Sequence, residues 1–294
     1  MEPKKIYSKR DQFLTIYFYY LENILNQDSS GLSNIKFQSE ESNTDEFLKK
    51  YLKSFISNNP QLINDGNNNC VFEIDGKKEI VNKNTFNSFR ITEVLIPEEL
   101  TQEQKNKITE NKKSVYTNPD LYLNITDGKE IWSESIELKS TKENRIPGSS
   151  IQQVSPYEWV IFVKRSDSNT EVTIGHYINC ITDRLPFPDR SPRPVIGYIP
   201  LKEWNKENRI LIGDEFHLKI NTNEHLEKLR ILEDWQDYLA SNWMEIIIKD
   251  SSKISEPWFN NAIRKYTLKL MDYTKNLSQE EIENFYKRIN KLVK

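Results

Sequence analysis

Two β-type segments flank Asp127-Gly128, Leu121 to Ile125 on one side and Glu130 to Lys139 on the other, and no other stretch restricts the fold as tightly. A hairpin decides which side chains share a face, because successive residues of a strand point to opposite sides and directly opposed residues point to the same side. A two-residue turn at Asp127-Gly128 pairs Thr126 with Lys129, and in that register Asp120 lies opposite Ser135. Ser135, Glu137 and Lys139 then project on the side used by Asp120, with Glu137 its diagonal neighbour at roughly 7–8 Å. A one-residue bulge would reverse the parity and separate them.

Around this hairpin the period of the apolar residues changes twice. Phe13, Ile16, Tyr17, Tyr20, Leu21 and Ile24 recur at helical spacing, as do Phe47, Leu48, Tyr51, Leu52, Phe55 and Ile56 before Pro60. CVFEIDGKKEIVN (70–82) reads as a hairpin turning at Asp75-Gly76, and FRITEVLI (89–96) as a further strand. Lys105 to Lys113 reads as a polar helix or solvated loop. After the central hairpin, Pro147 and Gly148 open a short helix from Ser149 or Ser150, followed by the strand EWVIFVKR (158–165). EVTIGHYINCI (171–181) continues the sheet until a loop, 182–194, with four prolines. Leu226, Leu229, Leu232, then Ile263, Tyr266, Leu270, Tyr273, then Ile282, Phe285, Ile289, Leu292 are helical stripes, the last opened by a capping box of Ser278 and Glu281. The expected class is α/β, a central mixed β-sheet flanked by helices with helical N- and C-terminal portions. The expected organisation is one domain over residues 1–294: a helical portion 1–65, a sheet core 66–220 and a helical portion 221–294.

Composition excludes several classes. No apolar run approaches the roughly 18 residues of a membrane span, and MEPKKIYSKRDQF holds no apolar core of a secretory signal, so a cytoplasmic location is expected. Two cysteines and three scattered histidines do not make a disulfide framework or a structural zinc site. A net charge of −3 argues against a uniformly basic coat for nucleic acid, yet residues 253–294 hold nine Lys/Arg against five Asp/Glu, and residues 139–193 hold eight against six.

The chemistry rests on Pro119-Asp120, sixteen residues, then Glu137-Leu138-Lys139. An acidic residue two before a lysine also occurs at Glu2, Asp75, Glu103, Glu110 and Asp127, so shared placement on the hairpin, and not the motif alone, singles this one out. Two carboxylates on one face repel unless a cation neutralises them. Mg²⁺ suits them, a hard ion that keeps several waters and is completed by phosphate oxygens. Its Lewis acidity together with Lys139 would offset the charge growing on a phosphorane, which is the chemistry of phosphodiester hydrolysis.

The pattern, on a hairpin followed by a short helix and a strand, resembles the PD-(D/E)xK nuclease core, and ELKSTKENRIPGSSIQQVSPYEWVIFVKR resembles the central region of type II restriction endonucleases. The resemblance covers roughly residues 115–200. It implies a restriction-endonuclease-like sheet in which Asp120 and Glu137 hold Mg²⁺ and Lys139 orients or activates water. It also implies a further acidic residue upstream, for which Glu93 is a candidate and Glu98 or Glu99 fit nearly as well. Lys142, Asn144 and Arg145 follow the site directly and suit phosphate and base-edge contacts; Gln152 is preferred over Gln153, and Arg184, Arg190 and Arg193 of the proline-rich loop are candidates for reading guanine.

The expected function is a sequence-specific, Mg²⁺-dependent endonuclease of double-stranded DNA leaving 5′-phosphate ends. A restriction role adds a cognate DNA methyltransferase acting on the same site. A palindromic target calls for a homodimer, its interface sought at residues 13–25 or 263–293. Two alternatives stand beside it: a repair, recombination or RNA nuclease of the same fold, and a DNA-binding module whose acidic pair is inert.

Overall fold

The computed structural model describes every residue except 1–7, 28, 36–45, 64–67, 107–118, 152, 167–168, 185–192, 250–256 and 294, and for residues 29, 30, 184 and 257 the backbone alone. The architecture is mixed α/β, with several sheets flanked by helices. The chain divides into two compact units, where the length suggested one domain: Met1–Leu185 with Arg193–Leu232, and Pro186–Pro192 with Glu233–Lys294. The separate helical unit therefore starts at Glu233 instead of 221.

In the first unit α1 (Lys9–Gln27) is followed by a short α2 (Ser29–Ser33) and α3 (Glu46–Asn58). The expectation for α1 was a single apolar face, but Phe13, Leu14, Ile16, Tyr17, Phe18, Leu21 and Leu25 are all fully buried. The buried positions are wider than one stripe, so neighbours cover more than one side of the helix. Phe18 packs 4.5 Å from the ring of Trp159, while Tyr19 packs 5.2 Å from Phe216, and these two aromatics belong to different sheets. Tyr19, Tyr20, Glu22, Asn23 and Ile24 of the same helix are half-buried.

The larger sheet has the order β3-β4-β5-β7-β8, built from β3 (Arg90–Leu95), β4 (Leu121–Thr126), β5 (Ile131–Thr141), β7 (Trp159–Arg165) and β8 (Thr170–His176). It is antiparallel except for the parallel pair β5 and β7. A second mixed sheet, β11-β12-β1-β2, joins the expected hairpin of β1 (Cys70 within Asn69–Ile74) and β2 (Lys77–Asn82) to β11 (Arg209–Ile212) and β12 (Glu215–Ile220). The β1–β2 turn places Asp75 at φ 48° and Gly76 at φ 77°, the left-handed geometry of a two-residue hairpin turn. Because β1 pairs in parallel with β12, this hairpin lies outside the central sheet, and one expected sheet becomes three. The third is antiparallel: β6 (Arg145–Pro147), β10 (Pro194–Gly197) and β9 (Ile181–Arg184).

Two local expectations also change. No helix forms at Ser149: the Gly148 N–H donates to the carbonyl of Pro194 at 2.7 Å, and only isolated turns follow, from Gln153 to Ser150 and Val154 to Ile151. The strand expected over 171–181 stops at His176, where Tyr177 and Ile178 donate to the carbonyls of Glu158 and Pro156 and turn the chain into the one-turn helix α4 (Tyr177–Cys180). Helix α5 (Tyr198–Asn208) follows β10 and packs on β8, and α6 (Asn223–Glu233) ends the unit. Most of the Lys105–Lys113 stretch and of the proline-rich loop lies outside the described residues.

The second unit holds α7 (Trp235–Ile248), α8 (Pro257–Lys275) and α9 (Gln279–Leu292). The expected capping box is formed, Ser278 N–H donating to Glu281 Oε2 at 2.8 Å and Glu281 N–H to Ser278 Oγ at 3.3 Å. Among the described residues no helix is long and apolar enough to cross a membrane.

Candidate active site

The hairpin that carries the acidic pair turns differently from the expected two-residue form. Asp127 Oδ1 accepts from the N–H groups of Lys129 and Glu130 at 2.9 Å each, which widens the loop to four residues and closes it with Thr126 opposite Ile131. Every pairing slides by two. Leu121 faces Ile136, where the ladder ends, and Ser135 faces Tyr122 instead of Asp120. A slide of two keeps the parity that a slide of one would have reversed, so Asp120 at the foot of β4 stays beside the Glu137–Lys139 end of β5.

The faces of this sheet divide accordingly. Leu121, Leu123, Ile125, Ile136, Leu138 and Ile161 join the core that includes α1. The opposite face carries Asp120, Glu137 and Lys139, beside Tyr122 with its apolar partners Leu95 and Leu100. In the parallel register Lys139 neighbours Phe162, against which Tyr198 of α5 sets its ring edge at 5.9 Å. The cationic end of Lys139 thus starts from a low-dielectric wall.

Asp120 is 5% exposed and Lys139 2%. Asp120 Oδ2 accepts the N–H of Leu138 at 2.8 Å, fastening the residue between Glu137 and Lys139 to the aspartate. Its Oδ1 takes the ammonium of Lys49, from α3, at 2.7 Å. Lys139 Nζ donates to Glu137 Oε1 at 2.6 Å and to Ser149 Oγ at 3.0 Å, and Ser149 Oγ donates to the same Glu137 oxygen at 2.7 Å. Ser149 is held in turn by its own N–H, which donates to the buried Tyr177 hydroxyl at 2.9 Å. Gly148 makes this approach possible: a Cβ there would stand 2.2 Å from Tyr177 Oη and 2.9 Å from Pro194 O.

Burial pushes the Asp120 carboxyl from 3.8 up to about 6, the charge of Glu137 adds to the rise, and Lys49 with the Leu138 N–H offsets part of it. A buried aspartate beside the charge of Glu137, with ammonium groups drawn onto both carboxylates, forms a locus that attracts positive charge. Its donors are hard oxygens, the kind Mg²⁺ takes one or two of from a protein. Among the described residues no group of three or more His, Cys, Asp or Glu is arranged around a common metal position, so the candidate remains this pair.

Of the three motif residues, Lys139 bonds Glu137, and Asp120 bonds the backbone N–H of Leu138 between them. The upstream acids do not join them. Glu93 accepts from Asn124 Nδ2 at 2.7 Å, four residues or about 13 Å along β4 from Asp120. Glu99 pairs with Lys53 and caps Ile96, and Glu98 is exposed. Lys142, Asn144 and Arg145 are exposed on the bend after β5 and the start of β6, with Asn144 Oδ1 accepting from Lys164 at 3.1 Å. Arg193 is exposed just before β10, and the Arg184 backbone lies in β9. Gln152 and Arg190 lie outside the described residues. Lys49, Ser149 and Tyr177 were not foreseen: Lys49 shares the polar flank of α3 with Lys50 and Lys53, and Tyr177 sits in an apolar run.

No family profile, curated protein or solved structure matches this chain.

Proposed function

We propose that the chain is a Mg²⁺-dependent endonuclease of double-stranded DNA with a PD-(D/E)xK, restriction-endonuclease-like core. The observation that carries the reading is that Lys139 bonds Glu137 at 2.6 Å while Asp120, just before β4, accepts the N–H of Leu138 between them at 2.8 Å. Mg²⁺, when bound by the two carboxylates, would supply Lewis acidity and neutralise charge on the scissile phosphate. The residues of the chain do the rest. Asp120 and Glu137 would hold the ion, and Ser149 and Lys139 fix the Glu137 carboxylate in one rotamer. Lys139 also offers an N–H donor to water attacking in line, and its charge opposes the negative charge of the transition state. Lys142, Asn144, Arg145 and Arg193 would bind DNA at the rim, with Gln152, Arg184 and Arg190 completing the candidate contacts.

A restriction role further implies a cytoplasmic enzyme, a methyltransferase protecting the same site, and a two-fold dimer on a palindromic target. The apolar side chains exposed on α8 and α9, Leu268, Met271, Tyr286 and Ile289 among them, are where the dimer contact is sought.

Digestion of a plasmid of known sequence with and without Mg²⁺ tests the reading. Discrete fragments with 5′-phosphate ends are expected only with metal. Asp120→Asn and Glu137→Gln should each slow cleavage by at least about a hundredfold while retaining DNA in a gel shift. A smear would move the protein to a nuclease guided by structure, and unimpaired cutting by both variants would reject the site.

A further inference from the structure

Three lysines lie on the polar flank of α3, and they are treated differently. Lys50 forms a surface pair with Glu46, and Lys53 pairs with Glu99. Lys49 turns inward, with its side chain 13% exposed, and meets Asp120, whose side chain is 6% exposed, at 2.7 Å. Withdrawing an ammonium from water is costly unless a counter-charge receives it. Here the receiver is the aspartate oxygen left over once Oδ2 has taken the Leu138 N–H. That oxygen is also the one a divalent ion would need. An ammonium in contact with it and a metal ion on the same atom would stand within a few ångströms of each other as like charges in a poorly solvated place.

We propose that Lys49 occupies the cation position at Asp120 Oδ1 in the metal-free chain and is displaced by the divalent ion, so that α3 responds to metal loading. The inference rests on the reading of Asp120 and Glu137 as metal ligands. The ammonium is an internal stand-in for the ion. It keeps the buried carboxylate from standing uncompensated, and by competing for Oδ1 it raises the metal concentration at which the site fills. Removal of the lysine charge therefore strengthens metal binding, although it removes a native ion pair. A lysine that only pins α3 to β4 would have the opposite effect, since its loss would loosen the aspartate and weaken binding.

The test is Mn²⁺ binding to the full-length chain, read from the electron paramagnetic resonance of the free ion over a range of pH around neutral. The variants are Lys49→Met, Lys49→Gln, Lys49→Arg and Asp120→Asn. Loss of the Lys49 charge also raises the proton affinity of Asp120, so affinities are compared for its ionised form, fitted from the pH dependence of binding, and there the first two are expected to bind Mn²⁺ about tenfold more tightly than the unmodified chain. Lys49→Gln keeps a donor for Asp120, so it reports even if Lys49→Met folds poorly. Lys49→Arg keeps the charge and should stay near the unmodified affinity, and Asp120→Asn should abolish binding. The rise in melting temperature on adding Mn²⁺ should be larger in Lys49→Met and Lys49→Gln than in the unmodified chain, a readout independent of cleavage. Equal or weaker binding by both neutral variants, with Asp120→Asn still abolishing it, would overturn the role of Lys49 alone. Absence of Asp120-dependent binding in every protein would overturn the metal site and the nuclease reading with it.

Discussion

Asp120 illustrates how much one side chain's surroundings decide. Its proton affinity is raised from 3.8 to about 6, first by burial and then by Glu137. The folded state thus binds this proton more tightly than the unfolded state. The resulting stabilisation is complete below the unfolded value and is lost as pH rises through about 6. A divalent ion needs the ionised form, so proton and metal compete. The melting-temperature increase produced by Mg²⁺ should therefore be small near pH 5 and large above about pH 7, and it should disappear in Asp120→Asn. An increase independent of pH across that range would contradict the assignment of Asp120 as a ligand. Of the site, the Asp120, Glu137 and Lys139 triad was legible because alternation on a hairpin is a local rule. Lys49 was not, because nothing in EFLKKYLKSF distinguishes the lysine that turns inward from those that stay in water. Ser149 was read only as a helix start, and its contact with Glu137 depends on Gly148 admitting the Tyr177 hydroxyl from a distant part of the chain.

Among the elements, α1 bears the largest packing load. Its aromatic side chains contact Trp159 of one sheet and Phe216 of another, so the helix is an inner layer. Phe18→Ala should cost about 3–5 kcal/mol, the range for a fully buried phenylalanine, measured as a lowered urea midpoint with an unchanged slope. A loss below about 1 kcal/mol would mean that the helix has a free face. The apolar recurrence in 13–24 identified the helix but not its layer, because Leu14 and Phe18, which fall off the assumed stripe, are as buried as the residues on it. The β1–β2 and β4–β5 hairpins were readable from nearby turn residues. Strands β6, β9, β10 and β11, of three or four residues each, were not, since such short segments are specified by partners far along the chain and not by their own pattern.

For the whole molecule, the separate helical unit, with its many exposed apolar side chains, is the natural place to look for self-association. Leu268 is 61% exposed and Met271 52%. If these faces hold a dimer together, Leu268→Glu with Met271→Glu should convert it to a monomer in sedimentation velocity, leaving the melting of the sheet-containing unit unchanged. A monomeric unmodified chain would exclude a homodimer assembled through α8 in the absence of DNA. Another whole-chain property follows from the parallel pairing of β1 with β12, which joins residues near the start of the first unit to residues near its end. On the ribosome, β1 and β2 emerge long before their third strand is synthesised. Until Glu215–Ile220 arrives, the Tyr19 side of α1 lacks the Phe216 ring that covers it, so a nascent chain stalled earlier would present a greasy surface to chaperones and proteases.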